Sequence, residues 1–340
     1  MQQTELPFID LHRHLSGSIR PQTVLELGRQ HNISLPANEL PRLIPHVQVV
    51  EVLPDLISFL AKIKFASTVI ADYDACRRIA YEAVEDAANE GIDYLELRFS
   101  AQFLANPFGL SQVGAAEAVI DGAQSAASNF GIRINLIGVL SRTLGPEACM
   151  EATNALLEVK EKIVALDLAG DEKNWPGHLF VDHFHKGRSA GWQITVHAGE
   201  AAGADNVRQA IEELGATRIG HATNAIEDRA LMDEMAERGI GIESNLTSNV
   251  QTSTVADLPS HPLRKFLERG LLATINTDDP QTSDIDLPFE YNEAAPQAGL
   301  TPKQIIQAQQ NALTIAYLSE EEKGALVKQK QISNQIGNEH

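Results

Sequence analysis

Short apolar and β-branched runs alternate along the chain with longer stretches in which apolar residues recur three and four positions apart. Eight runs have the length and composition of buried strands: 8–14, 93–100, 134–142, 163–171, 192–200, 218–222, 240–249 and 271–280. The clearest helical stretch is 72–90. A glycine separates a helical stretch from the next run at Gly91, Gly131, Gly191, Gly239 and Gly270. Because a helix end favours a left-handed residue, these glycines predict helix-to-strand junctions.

Eight alternating strand and helix units predict an α/β fold, a (β/α)8 TIM-type barrel. A barrel of this kind accommodates the whole chain, 1–340, as a single domain. In such barrels the active site lies at the carboxyl ends of the strands. We therefore expect polar side chains at the ends of the predicted strands to meet at one mouth.

An insertion of about 75 residues separates the first two predicted strands, far more than an ordinary connection. We expect it to be helical over about 20–70. Pro54 and Asp55 begin one helix whose apolar stripe either packs against the barrel wall or forms a lid over its mouth. The charged, glutamine-rich tail, 329–340, is expected to be frayed.

The net charge of the 340-residue chain is −19 at neutral pH. This charge argues against a nucleic-acid partner, because phosphate binding needs a basic surface, but it does not exclude a nucleoside. The first residues lack the pattern of a secretory signal, and no apolar run approaches the length of a membrane span. We expect a cytoplasmic protein without membrane association.

Candidate metal ligands stand at the ends of predicted strands. His12 and His14 are two residues apart in an extended segment, so their side chains share a face and can reach one ion. His197 and Asp278 complete a nitrogen-rich set suited to Zn²⁺, with a position left open for water. Taken singly, each residue is more often a solvated polar group at a barrel mouth. Four in matched positions favour a catalytic metal site.

Two other groupings are poor candidates for a site. His183 and His185 are also two apart, but in a predicted helix that spacing separates them by about 200°. Cys76 and Cys149 are too few for a disulfide framework or a zinc quartet. We expect both cysteines to be buried thiols.

The motifs around the candidate ligands make the chain resemble the bacterial adenosine deaminases over almost its whole length. The matching segments, in family order and spacing, are DLHRHL at 10–15, LDLAGDE at 166–172, TVHAGE at 195–200, RIGH at 218–221, LTSN at 246–249 and INTDDP at 275–280. The resemblance implies zinc-dependent hydrolysis of adenosine and 2′-deoxyadenosine to inosine and deoxyinosine with release of ammonia, in purine salvage. The implied partner is a small-molecule purine nucleoside, with no obligate protein partner.

The same resemblance assigns roles to individual residues. Glu200 donates a proton to purine N1, and His221 faces the attacking water. Asp279 pairs with purine N7, the Gly170 amide donates to N3, and Ser16 lies at the ribose. One zinc per chain is held by His12, His14, His197 and Asp278, of which His14 also belongs to the substrate site.

The chemistry is consistent with these roles. Attack on C6 of a purine breaks the delocalisation of the ring, and protonating N1 makes C6 electrophilic. Glu200, three residues after His197, can hold that proton. Zinc lowers the pKa of its water toward about 7, and Asp279 needs a raised pKa in a dry site to donate to N7.

Two positions depart from the family pattern. Ser16 stands where the family commonly has an aspartate that contacts the ribose hydroxyls; a serine hydroxyl bonds without charge and reaches less far. Ala222 stands where glycine is common and adds a methyl group beside His221. Neither position is a predicted zinc ligand.

Other functions remain open. Ser16 is compatible with deamination of another 6-aminopurine, adenine or a 5′-modified adenosine, by the same mechanism. A two-metal hydrolase would want a bridging ligand at the end of the fourth strand, where the sequence has Gly170 instead. A non-catalytic barrel is disfavoured by Glu200, and the Pro-Cys-x-x-Cys signature of cytidine deaminases is absent. Four further residues at strand ends receive no role from the sequence: Arg98, Arg142, Asp171 and Ser248.

Overall fold

Eight parallel strands form a barrel in the computed structural model, which describes residues 5–337. The strands are β1 (Ile9–His14), β2 (Tyr94–Phe99), β3 (Arg133–Ser141), β4 (Ala165–Ala169), β5 (Gln193–Ala198), β6 (Arg218–His221), β7 (Gly241–Ser244) and β8 (Leu272–Ile275). Each strand pairs in parallel with the next one in the chain. A single parallel bridge between Arg13 and Asp278 joins the two ends of the sheet. The predicted TIM-type barrel is confirmed.

Helices connect the strands and surround the barrel. They are α1 (Pro21–Gln30), α2 (Leu40–Val47), α3 (Leu56–Ser67), α4 (Tyr73–Asn89), α5 (Ala101–Ala105), α6 (Gln112–Phe130), α7 (Pro146–Glu158), α8 (Val181–Ser189), α9 (Ala204–Gln209), α10 (Arg229–Arg238), α11 (Leu246–Gln251), α12 (Leu263–Glu268), α13 (Pro280–Ser283), α14 (Leu287–Phe289), α15 (Ala295–Gln297), α16 (Pro302–Ile315) and α17 (Glu320–Gly337). Short π-helical turns follow α9, over Ala210–Leu214, and α14, over Glu290–Ala294. No helix within 5–337 combines the length and the apolar character needed to cross a membrane.

The predicted helix at 72–90 is α4, and its ends follow the expected rules. Asp72 caps it by accepting the Ala75 N–H at 2.8 Å. Gly91 follows with φ 81°, which only glycine adopts without strain. The other four predicted junction glycines also have positive φ, so the helix-to-strand junctions are confirmed.

Two predicted strands were too long at their carboxyl ends. The run 240–249 forms a strand only to Ser244, and α11 begins at Leu246. The run 271–280 forms a strand only to Ile275, and Pro280 opens α13. In both, the strand ends at the barrel rim and the chain turns directly into a helix. The sequence pattern does not show where the strand ends, because polar and apolar residues remain mixed from the strand through the turn.

The insertion contains α1, α2 and α3, as expected. Asp55 caps α3 by accepting the Ser58 N–H at 2.8 Å. Phe59 and Ile63 of α3 are buried in a small apolar cluster with Val49. The α3 helix is therefore attached to the rest of the insertion by its own core.

The expectation of a frayed tail was wrong for 329–337. These residues continue α17, while 338–340 lie outside the described residues. Leu326 is buried with Ile9 and Tyr94, and the Lys330 Nζ lies 2.7 Å from Asp93 Oδ2. The helix is thus held by packing and an ion pair that the tail's composition does not reveal.

Two predictions about unused residues are confirmed. Cys76 and Cys149 are buried free thiols. His183 and His185 both lie on α8, where His183 is buried and His185 is exposed. These two histidines do not share a face.

We expect Gly122→Ala to destabilise the protein by about 1–3 kcal/mol, the usual cost of overpacking a core. A Cβ at Gly122 on α6 would lie 2.1 Å from the Arg77 carbonyl oxygen of α4, so two helix backbones must separate. Urea denaturation measures the change. The matched control is Gly324→Ala on α17, where a Cβ meets nothing within 4 Å. Equal stability of the two variants would contradict the close α4–α6 contact.

Candidate active site

The candidate residues converge at the carboxyl ends of the strands. His12 and His14 lie on β1, His197 on β5 and His221 on β6. Asp278 follows β8, and its backbone joins β8 to β1: its N–H donates to the His12 carbonyl and its carbonyl accepts from the His14 N–H, both at 2.7 Å. Asp278 adopts φ 65°, a left-handed conformation that aspartate tolerates better than most residues. That conformation places its side chain at the barrel mouth beside the histidines.

The donor atoms form a compact buried group. Ligand atoms of His12, His197, His221 and Asp278 all lie within 4.8 Å of one another. His14 Nε2 lies 3.0 Å from His197 Nε2 and 3.4 Å from Asp278 Oδ1. The structure therefore brings all four predicted ligands together, and it places His221 as close to them as a further ligand would be.

This donor set fits a metal ion. His12 Nε2 is buried, has no hydrogen-bond partner among the described residues, and lies 3.2 Å from Asp278 Oδ1. Burial lowers the pKa of His14, His197 and His221, which favours the neutral imidazole that coordinates metals. Imidazole nitrogens facing one carboxylate at close range are the donors of a metal site.

Carboxylates behind two of the histidines orient their rings. His12 Nδ1 lies 2.7 Å from Glu243 Oε2, and His197 Nδ1 lies 3.0 Å from Asp167 Oδ1. With the carboxylates accepting at Nδ1, each ring directs Nε2 toward the other ligands. Arg98 joins the two carboxylates, at 2.9 Å from Asp167 and 2.7 Å from Glu243.

A second arginine extends this arrangement across the barrel interior. Arg218 lies 2.7 Å from Glu243 Oε1 and 2.5 Å from Glu96 Oε2. Although burial opposes it, the two guanidinium groups hold the pKa of Glu243 well below its usual range. We call these residues the buried ion network: Arg98, Arg218, Glu96, Asp167 and Glu243. Sequence reasoning did not assign a role to its carboxylates, although an acid in the middle of an apolar strand is the signal that marks Asp167 and Glu243.

Glu200 is placed by a carboxylate that sequence reasoning also missed. Glu172 accepts four consecutive backbone N–H groups, from Gly199, Glu200, Ala201 and Ala202, at 2.7–3.1 Å. Glu200 itself is only 6% exposed. Burial raises its pKa well above the ordinary value, and the charges of Asp278 and Glu172 raise it further. Glu200 is thus a carboxyl group suited to carrying a proton near neutral pH.

Asp279 directly follows Asp278 in the chain and lies at the start of α13. Gly17 makes its position possible, since a Cβ there would lie 1.7 Å from Asp279 Oδ1. That oxygen is buried and has no hydrogen-bond partner within 5–337. Burial, followed by the charges of Asp278 and Glu200, raises the pKa of Asp279 well above its usual range.

A cavity of about 640 Å³ opens beside these groups. Its polar wall contains three of the predicted ligands, His14, His197 and Asp278, with Glu200 and Asp279; Ser16 and Gly170 also line it. The facing wall is apolar and includes Leu56, Phe59 and Leu60 of α3. A flat, partly polar molecule fits between such walls. The inserted helix α3 therefore forms part of the site, which is one of the two positions expected for it; its movement as a lid stays a prediction.

The four strand-end residues without a predicted role are explained in part by their contacts. Ser248 donates to Asp278 Oδ2 at 2.7 Å. Arg142 donates to the His197 carbonyl at 2.7 Å, and Arg98 belongs to the buried ion network. Asp171 accepts from the side chain of Asn174 in a local turn. Three of these residues therefore support ligands, and Asp171 does not contact one.

Ala222 occupies a conformation that favours glycine. Its φ is 53°, directly after His221 at φ 65°. The turn that delivers His221 thus consists of two left-handed residues in succession. Despite its methyl group, Ala222 is accommodated at 0% exposure.

The chain is similar in sequence and in fold to known proteins. A family model described as adenosine deaminase matches residues 7–332. An adenosine deaminase of Escherichia coli O1:K1 / APEC is 58% identical over 326 residues, 96% of this chain and 98% of that protein. Adenine deaminase from Arthrobacter aurescens has a TM-score of 0.88 at 22% identity, covering 97% of this chain and 99% of that one. An amidohydrolase from Burkholderia ambifaria with bound Zn has a TM-score of 0.86 at 24% identity, covering 98% and 92%. At these identities the two structures support the fold alone.

We expect Arg98→Met to cost about 3–5 kcal/mol of stability, because it leaves Asp167 and Glu243 as buried charges with less compensation. Looser His12 and His197 rings should also weaken metal binding about 10–100-fold. Urea denaturation and zinc titration against a competing chelator measure the two effects. The control is Arg269→Met, since Arg269 pairs with Asp233 at 3.1 Å on the exposed surface. Wild-type metal affinity in Arg98→Met would contradict the orienting role of the network.

Proposed function

The chain belongs to the adenosine deaminase family and is a hydrolytic deaminase of adenosine, and we propose how its residues carry out this reaction. The ligand set comprises His12, His14, His197 and Asp278, holding one Zn²⁺ per chain. 2′-Deoxyadenosine is a second substrate of the same site. The observation that carries the proposal is the clustering of the ligand atoms beside the cavity that Glu200 and Asp279 line.

The reaction replaces the amino group of purine C6 with oxygen from water. Water adds to C6, the C6–N6 bond breaks, and ammonia leaves; one proton of the water completes the ammonia, and the other restores the acid whose proton stays on N1. Glu200 holds the proton that N1 receives as the C6–O bond forms, so that negative charge does not accumulate on the ring. Its burial keeps that proton available at neutral pH.

Zn²⁺, when bound, supplies a nucleophile by lowering the pKa of a coordinated water toward about 7. The chain's own groups set the direction of attack. His221 and Asp278 lie on one side of the cavity, with His221 Nε2 3.8 Å from Asp278 Oδ2. Between them they orient the attacking water toward C6.

Contacts to the substrate come from other residues that line the cavity. Asp279 is proposed to pair with purine N7 through its unpartnered Oδ1, and the Gly170 amide to donate to N3. Ser16 is proposed to bond the ribose, while His14 borders both the ion and the substrate. The apolar face of α3 covers the base and excludes water.

A second substrate class is favoured by one observation. Ser16 lines the cavity and offers an uncharged, short hydrogen-bonding group where the family commonly has an aspartate that contacts the ribose. Adenine or a 5′-modified adenosine, deaminated by the same residues, is the alternative substrate. In either case the partner is a small molecule, with no nucleic acid, membrane or obligate protein partner implied. A cytoplasmic location stays a prediction.

We expect Glu200→Gln to keep the fold and one zinc per chain while losing at least about 100-fold in kcat, because an amide of the same shape cannot protonate N1. The loss of adenosine absorbance measures turnover, and elemental analysis measures zinc. Stripping the metal with a chelator should abolish the wild-type activity, and one equivalent of zinc should restore it. A variant that keeps more than about a tenth of the wild-type kcat would require a different acid.

We expect Ser16→Asp to raise kcat/KM for adenosine by lowering its activation free energy by about 1–2 kcal/mol. This is the difference between a neutral and a charge-assisted hydrogen bond to the ribose. Steady-state kinetics on adenosine and adenine measure it. Adenine lacks the sugar and serves as the control, so its kcat/KM should not change. If Ser16→Asp lowers adenosine turnover and the wild type prefers adenine or a 5′-modified adenosine, the alternative substrate class is correct.

A further inference from the structure

His221 differs from His12 and His197 in the group within hydrogen-bond distance of its Nδ1, since the carboxylate near that atom, Glu200 Oε1, is 3.7 Å away. His12 and His197 each direct Nδ1 at a carboxylate, which can only accept a hydrogen bond. His221 Nδ1 instead lies 2.9 Å from Asn249 Nδ2, an amide nitrogen that can only donate. The location of the single proton on a neutral imidazole follows from such contacts.

The orientation of the Asn249 amide can be traced back to the backbone. The Leu263 N–H lies 3.2 Å from His261 Nδ1, and a backbone N–H can only donate. His261 is buried, and burial lowers its pKa to about 3, so the ring is neutral with one proton. Since Nδ1 accepts, the proton is on Nε2. From there it is donated to Asn249 Oδ1 at 3.1 Å.

A second contact agrees with this orientation of the amide. Thr254 Oγ1 lies 3.1 Å from the Asn249 backbone carbonyl, to which it donates, and 3.2 Å from Asn249 Nδ2, from which it can then accept. The contact from His261 Nε2 to Oδ1 is the one that requires Nδ2 to face His221. Asn245 Nδ2 lies 3.2 Å from His221 Nδ1 and 3.5 Å from His221 Nε2, so its shorter contact is also to the accepting nitrogen.

We propose that the chain of hydrogen bonds from Leu263 through His261 and Asn249 fixes neutral His221 with its proton on Nε2, making His221 a hydrogen-bond donor beside the metal and not a ligand. His261 and Asn249 are thus positioning residues. The inference rests on the proposed function of this site. It also resolves why His221, within 4.8 Å of His12, His197 and Asp278, need not coordinate the ion they share.

The protonated Nε2 gives His221 a defined task. It lies on the side of the ring that faces Asp278, and it can donate to the oxygen of the attacking water. That contact leaves an oxygen lone pair free for C6. With the proton on Nδ1, Nε2 would instead offer a lone pair, and it would either accept from the water or compete for the metal.

The test is the tautomer itself, measured by long-range ¹H–¹⁵N NMR of histidine side chains in the full chain, with and without zinc. His221→Ala assigns the signals. We expect His221 to show a protonated Nε2 and a non-protonated Nδ1 in both samples. A protonated Nδ1, or loss of the Nε2 proton when zinc binds, would overturn the proposal. This spectrum does not depend on the substrate, so it is separate from whether wild-type protein deaminates adenosine.

Asn249→Asp tests the consequence, because a carboxylate of the same shape accepts from Nδ1 and moves the His221 proton there. By analogy with other enzymes forced into the wrong tautomer, we expect kcat to fall about 100-fold or more, with KM within about threefold of wild type. Zinc affinity should be unchanged or higher, since Nε2 gains a free lone pair. Weaker zinc binding with an unmoved tautomer would indicate a merely structural role and refute the proposal.

A pair of matched variants guards against misfolding of Asn249→Asp. His261→Phe removes the donor to Asn249 at similar ring size and should mix the two tautomers of His221 in the spectrum. His183→Phe removes another buried histidine, whose Nε2 lies 2.8 Å from the Pro146 carbonyl on the outer helices, and should change neither the spectrum nor kcat. Identical His221 signals in His261→Phe and His183→Phe would refute the role of His261.

Discussion

The structure depends on keeping several charges inside a barrel without water. Arg98 compensates two carboxylates, and each carboxylate turns a histidine toward the same point. A buried ion pair is costly unless its remaining hydrogen bonds are satisfied, and here the histidine Nδ1 groups and Arg218 satisfy the carboxylates, while Arg98 Nε has no partner among the described residues. The free-energy cost of burying these charges is therefore offset by the same hydrogen bonds that orient the histidine rings. The parallel strands hold the charged side chains at the fixed spacing that these bonds need.

The exclusion of water also determines the pKa values of the two acids at the barrel mouth, Glu200 and Asp279. Glu200 and Asp279 face a cavity whose other wall is the apolar side of α3. Neither carboxyl has a guanidinium within hydrogen-bond distance among the described residues, so burial raises both pKa values more than the charges of Arg142, on Glu200, and Arg98, on Asp279, lower them. The carboxylates of the buried ion network differ from these two acids in making direct ion pairs with arginine. The insertion, for which the sequence left both wall packing and a lid over the mouth open, lines the cavity through α3.

The sequence predicted the strands, the junction glycines and the convergence of His12, His14, His197 and Asp278, because all of these follow from local periodicity and from the rule for barrel ends. It did not predict the partners of those residues. Glu172 reaches the backbone of 199–202, and Glu243 meets His12 across the barrel, only because of the closed three-dimensional arrangement. The tail was misjudged for the same reason, since Lys330 is held by Asp93 far away in the chain. The assigned roles of individual site residues remain proposals.

Asp278 combines two tasks that are usually separate. Its backbone closes the seam between β8 and β1, and its carboxylate belongs to the ligand group. The site consequently does not exist in any partly synthesised chain that lacks β8, because neither the seam nor the last ligand is present. Domains fold as they leave the ribosome. The four proposed donors can therefore come together only after β8 has been synthesised and has closed against β1.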